Sequence, residues 1–228
     1  MIFDLKDEPG GSEESRSKAL AMLCENYWYP VYAYIRKCGR GAEDAQDLTQ
    51  DFFYKMIHGE LFKKADAGKG KLRTFLLTTV ARMLVSDWRS RRRQKRGGGA
   101  APLSLDIELA ERNYAAEPKD TLTPEKLYDR RWALLTINSV FDQLRGEFNA
   151  RGKSRHFDLL GECLTPGGSD LPYSEIAAEL GLSDAAVRQA VRRLRGRFGE
   201  LMRERVAFTV EGNAEVEEEL RSLMEAFQ

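Results

Sequence analysis

The stretch Tyr173–Arg197, YSEIAAELGLSDAAVRQAVRRLRGR, decides how the chain folds. Ile176, Ala177 and Leu180 recur at helical spacing and supply one inward face. Val187, Ala190, Val191 and Leu194 supply a second. Between them Gly181 permits a sharp turn, because glycine tolerates positive φ, and Ala177 is small enough for two helices to approach closely. Leu182 is expected to plug the corner and Ser183 to cap the second helix. This is the pattern of a helix-turn-helix. The outward side of its second helix carries Asp184, Arg188, Gln189 and Arg192. In a major groove arginine reads guanine edges and glutamine reads adenine edges. Arg193, Arg195 and Arg197 lie further along, placed for phosphate contacts that position without specifying. The competing reading is a helical hairpin with a basic surface, and the turn residues weigh against it.

Outward from this motif the charge is segregated. The 228 residues carry 36 basic and 36 acidic side chains, a net of zero. Yet Lys71–Arg96 has nine bases and one acid, and Asp184–Arg205 seven bases and three acids. Ser104–Asp129 has seven acids and three bases, and Glu211–Gln228 six acids and one base. Two basic blocks separated by an acidic stretch suggest two contacts with one polyanion. No apolar run approaches the ~18 residues of a membrane span, so no membrane insertion is expected. The opening MIFDLKDEPGGSEES lacks the basic-then-apolar order of a secretory signal. Cys24, Cys38 and Cys163 fit neither a disulfide framework nor a zinc site, which points to a cytoplasmic, reducing setting.

Apolar spacing is helical almost throughout. Ala45, Leu48, Phe52 and Met56 fall at three- and four-residue steps, as do Leu72, Phe75, Leu76, Thr79 and Met83. Thr123-Pro124-Glu125 opens a further helix with a hydroxyl cap, a first-turn proline and an acid facing the dipole. Leu127, Leu134, Ile137, Phe141, Leu144 and Phe148 are its expected buried side. Gly97-Gly98-Gly99 ends the first basic helix, and the residues up to about Leu122 read as a linker. The expected fold is all-α: a helical domain over 1–96, a flexible linker over 97–123, a helix-turn-helix domain over 124–205 and an acidic amphipathic extension over 206–228.

In the first domain Asp44, Asp47 and Asp51 form an acidic stripe opposite the apolar one. After a Lys/Gly-rich loop comes Leu72–Arg96, LRTFLLTTVARMLVSDWRSRRRQKR, on which Arg82, Arg89, Arg93 and Arg96 share a face, with Trp88 and Arg92 nearby. Basic side chains track phosphates, and aromatics can hold unstacked bases. An equal reading places Trp88 in the core.

The order of these parts, with ED-x-x-DLTQDFF at Glu43–Phe53 and YSEIAAELGLSDAAV at Tyr173–Val187, resembles bacterial RNA polymerase sigma factors of the two-domain extracytoplasmic-function (ECF) type. The resemblance covers roughly Ser15–Glu204. It implies a sigma region 2-like bundle and a sigma region 4-like helix-turn-helix. It implies docking on core polymerase (the β′ clamp helices and the β subunit) through Asp44, Asp47, Gln50, Asp51 and Phe53. Contact with the promoter −10 element falls to Lys69, Lys71, Arg73, Arg82, Trp88, Arg89, Arg92, Arg93 and Arg96, with the loop Lys63–Lys71 capturing a flipped base. Contact with the −35 element falls to Ser183, Asp184, Arg188, Gln189, Arg192 and Arg193. The partners implied are core polymerase and promoter DNA, with room for an anti-sigma regulator. The sequence departs from the family where asparagine commonly follows the arginine of the ARMLVSDW run; Met83 stands there and removes a hydrogen-bonding side chain.

Val216, Leu220, Leu223, Met224 and Phe227 recur at helical spacing in the acidic tail. Either this helix folds back on a basic DNA-binding face, or it completes the second domain or meets a partner. No catalytic, cofactor or metal site is expected. His58 and His156 are isolated, and no phosphate-cradling glycine motif occurs. Two rival functions remain. A free-standing helix-turn-helix regulator would bind duplex operators without polymerase. A nuclease would need clustered metal-ligating carboxylates, whereas Asp44, Asp47 and Asp51 form a line.

Overall fold

The structure is a computed structural model that describes residues 13–58, 71–91, 106–117, 122–165, 167–169, 171–210 and 212–227. Its helices are α1 (Glu13–Lys37), α2 (Ala42–Ile57), α3 (Leu72–Arg91), α4 (Ile107–Ala115), α5 (Pro124–Ala150), α6 (Ser154–Leu160), α7 (Tyr173–Leu180), α8 (Asp184–Ala207) and α9 (Asn213–Glu225), with one 3-10 turn at Gly161–Leu164. No strand occurs among the described residues. The all-α expectation holds.

The chain forms two compact units, one comprising residues 1–133 and 207–228, the other 134–206. The first therefore takes in α1 to α4, the start of α5, and α9. The second runs from the remainder of α5 to α8.

In the first unit α1 packs along α2. Val31, Tyr32, Ala33 and Ile35 of α1 are buried against a stripe of Ala45, Leu48, Phe52 and Met56 from α2. Burying each of the larger aliphatic and phenylalanine side chains among these contributes roughly 1.5–3 kcal/mol. Thr49, also buried, returns its hydroxyl to the Ala45 carbonyl (2.6 Å), so no polar atom is stranded in that stripe. Leu72, Leu76 and Val80 of α3 complete this layer.

The expected flexible linker contains α4, which a local cap starts and contacts with α1 hold. Asp106 caps it, its carboxylate accepting from the Leu109 amide at 2.9 Å. Glu111 then meets α1: the Arg36 Nε and Nη2 donate to its two oxygens at 2.8 and 3.1 Å, and the Tyr32 hydroxyl donates to one of them. Arg36 also lies 4.7 Å over the Tyr114 ring. Buried Glu117 pairs with Arg131 and accepts from the Tyr29 hydroxyl at 3.3 Å. Two of this segment's acids, Glu111 and Glu117, are thus spent on the first unit's own cations.

In the second unit Phe141 packs edge-on to Phe198 (ring centroids 5.5 Å), and Phe148 lies 5.5 Å from Phe157. Phe157, Leu160, Cys163, Ile176, Val187, Val191 and Leu194 fill the space between α5, α6, α7 and α8. Along α5 Leu127 and Leu144 are buried as expected, whereas Leu134, Ile137, Phe141 and Phe148 are half-buried.

Candidate nucleic-acid interface

The helix-turn-helix forms as its sequence implies. α7 ends at Gly181, whose φ of +64° lies in the left-handed region that side chains rarely adopt. The Leu182 amide closes the turn on the Ala177 carbonyl at 2.9 Å. Ser183 caps α8, its hydroxyl accepting from the Ala186 amide at 3.3 Å. Leu182 differs from expectation. It is 38% exposed rather than plugged into the corner, while Ile176, Ala177, Val187 and Val191 are the buried residues of the motif.

With Val187, Val191 and Leu194 turned inward, α8 leaves Asp184, Arg188, Gln189, Arg192 and Arg193 exposed. Ala185, Arg188, Gln189, Arg192 and Arg193 line a shallow hollow of about 560 Å³ on this face. No ion pair joins these side chains to another described residue. Arg195 and Arg197, read from sequence as phosphate ligands, are engaged within the unit. Arg195 donates to the Cys163 carbonyl at 3.0 Å. Arg197 pairs with Glu147 (2.7 Å), Glu200 (3.2 Å) and Glu204 (3.6 Å). The Arg197 hydrogen bond holds the Glu147 carboxyl below the usual glutamate range.

On α2 the acids stand as a row. Asp47 is exposed, and Asp44, Gln50 and Asp51 are half-exposed. Asp51 pairs with Lys55 one turn on, at 2.5 Å. Phe53 is 1% exposed and packs edge-on to Phe52 at 5.3 Å. It thus supports the acidic row from inside the domain.

The cations of α3 divide into two groups. Arg82 is exposed, and Trp88 is 53% exposed, which removes the core reading of that ring. Trp88 lines an open groove of about 640 Å³ with Tyr34, Cys38, Arg40, Leu84 and Val85. Arg40 is fixed there by Asp87 at 3.0 Å. At the other end of α3, Lys71 and Arg73 are enclosed by acids. Lys71 Nζ lies 3.0 Å from carboxylate oxygens of both Glu218 and Glu219. Arg73 Nε meets Glu219 at 2.8 Å, its Nη1 meets Asp129, and its guanidinium lies 4.8 Å over the Trp132 ring. Burial works against the charge on Arg73, but the carboxylates outweigh it and push its pKa upward. Glu218, Glu219, Asp129 and Trp132 escaped the sequence reading, because nothing in local spacing shows that residues more than fifty positions apart converge. Lys69, Arg92, Arg93 and Arg96 lie outside the described residues, as does most of the loop 63–71, and Arg89 is on α3 with its side chain outside them.

Two faces thus emerge, each on its own unit: an arginine-rich recognition helix, and a basic helix beside an acidic one. Residues 36–204 match the family described as ECF sigma factor. The match spans most of the chain, which belongs to that family. Its role is therefore that of a sigma factor in transcription initiation, a DNA-binding protein whose partners are RNA polymerase and promoter DNA. This is not an enzyme class. No curated protein and no solved structure gave a match. Among the described residues, no helix is long and apolar enough to cross a membrane.

Proposed function

We propose that this chain directs core polymerase to promoters by reading two DNA elements with its two units. The observation that carries the reading is the exposed Arg188, Gln189, Arg192 and Arg193 face at the start of a capped recognition helix. Arg188 and Gln189 face base edges in the −35 element, while Arg192 and Arg193 engage phosphates and Ser183 and Asp184 lie at the helix end nearest the groove. The α2 row of Asp44, Asp47, Gln50 and Asp51, backed by Phe53, docks on the β′ clamp helices. The remainder of α3, with Arg82, Trp88 and Arg89 leading towards Arg92, Arg93 and Arg96, stabilises the opened −10 strand. Met83 on that helix makes the −10 preference depart from the family's usual one. An exposed Trp88 favours this reading, since an aromatic ring open to solvent offers a stacking face to an unpaired base. The chain supplies no catalytic residue; it acts by trapping melted DNA.

The experiment is a footprint of holoenzyme on a promoter it selects. Protection around −35 together with permanganate-reactive thymines around −10 is the expected pattern. Binding of the isolated chain to a palindromic duplex, with no dependence on core, would return the free-standing regulator to first place.

A further inference from the structure

We propose that α9 is an acidic clamp that withholds Lys71 and Arg73 from nucleic acid, and that these cations reach phosphate only when α9 leaves α3. The inference rests on the reading of α3 as a promoter-contacting helix.

The start of α3 has the makings of an anion site. A helix start leaves its first amides without intrahelical partners and carries the positive end of the helix dipole. Lys71, immediately before the helix, and Arg73, on its first turn, add two cations there. The C-terminal segment occupies one of those amides and both side chains. The Leu72 amide donates to the Thr209 carbonyl at 3.2 Å. Lys71 is shared between Glu218 and Glu219, and Arg73 presents Nε and Nη2 to the two oxygens of Glu219 at 2.8 and 3.4 Å. That side-on pairing is the geometry in which a guanidinium grips a phosphate, so the same donors cannot serve both. Glu219 therefore stands where a backbone phosphate would.

The clamp is also built to be released from its rim. Of its 13 residues, α9 buries Val216, Glu219 and Leu223, while Glu218 and Met224 are 59% and 66% exposed. Segments with so few buried apolar contacts can open locally at less than the cost of unfolding the whole unit. The Lys71 hydrogen bond and charge hold the Glu218 carboxyl below its ordinary range, so the rim contact is ionic at neutral pH. A polyanion competes for Lys71 first, and the buried Arg73–Glu219 pair follows.

The test compares full-length variants binding a short fluorescein-labelled single strand of mixed sequence, read by anisotropy at low salt. Glu218→Gln removes the rim partner of Lys71; Glu225→Gln removes the same charge from the same helix at another exposed position. Glu218→Gln should bind about threefold more tightly than Glu225→Gln, with a steeper salt dependence, as one added phosphate contact requires. In a Lys71→Ala background that difference should vanish. Equal affinities for the two glutamine variants would overturn the clamp. As a second measurement, amide exchange across Asn213–Glu225 should speed up when the wild-type chain binds the strand; unchanged protection would also overturn it. Neither measurement needs polymerase. Failure of the chain to support transcription would therefore count against the functional reading and leave the clamp to be decided by these two results.

Discussion

The recognition helix α8 and the basic helix α3 look alike in sequence and differ in the structure. Both present arginines at helical spacing over an apolar stripe. On α8 the arginines nearest the turn, Arg188, Arg192 and Arg193, are exposed and joined to no described acid. On α3 the cations nearest the helix start, Lys71 and Arg73, are held by Glu218, Glu219 and Asp129. The contrast teaches that a positive stretch defines a surface only after its internal partners are known. Arginines that leave the turn region of α8 make the same point, since Arg195 and Arg197 are spent on the Cys163 carbonyl and Glu147.

The largest expected effect separates the two helices by stability. Arg73→Ala leaves half-buried Asp129 without its cation and fully buried Glu219 with Lys71 alone. Such a loss costs ~3–5 kcal/mol, visible as a lowered denaturation midpoint of the first unit. Arg188→Ala should leave that midpoint within ~0.5 kcal/mol of wild type. A similar stability loss in both variants would break the comparison.

Function inverts the ranking. Arg188→Ala should cost ~1–3 kcal/mol of discrimination between promoters differing at −35, measured by competitive run-off transcription. Arg192→Ala should instead weaken binding evenly across promoters and flatten its salt dependence. A uniform effect of Arg188→Ala would place that residue among the phosphate contacts.

Gly181→Ala sharpens the account of the turn. Alanine at φ +64° costs ~1 kcal/mol through backbone strain, with no clash, since open space surrounds that position. Chemical denaturation of the second unit reads it directly.

The smallest effect concerns α4. Burial alone would raise the Glu111 carboxyl, but hydrogen bonds from Arg36 and Tyr32 and the Arg36 charge outweigh it, holding the carboxyl below its ordinary range. A depressed carboxylate contributes stability above its unfolded value of ~4.3, and that contribution disappears as pH falls through the folded value. Wild type should therefore exceed Glu111→Gln by ~0.5–1 kcal/mol from neutral pH down to ~5, and the gap should close in more acid solution. A gap independent of pH would mean that packing around Tyr114, not the ion pair, docks α4.

What was legible in the sequence follows the range of the interactions. The turn at Gly181, the Ser183 cap and the buried Val187, Val191 and Leu194 are set by neighbours within a few residues, and the pattern displays them. The α2 stripe of Ala45, Leu48, Phe52 and Met56 was readable for the same reason. The docking of α4 on Arg36 and of α9 on Arg73 depends on pairs 75 and 146 residues apart, to which helical periodicity is blind. Asp106 did carry a local cap signal ahead of Ile107, masked by the glycine- and alanine-rich run before it. The tail's amphipathic pattern was visible, but its partner was not. Val216 and Leu223 face the first unit's interior rather than completing the second.

The most direct test of the central claim is run-off transcription on fragmented genomic DNA with bacterial core polymerase, with and without this chain. New transcripts are expected from discrete start sites, preceded by two short shared elements at a fixed spacing, and they should be lost in Asp47→Ala through weakened core binding. No new transcripts from either the full chain or one ending at Val210, with the same core active under its primary sigma factor, would contradict it.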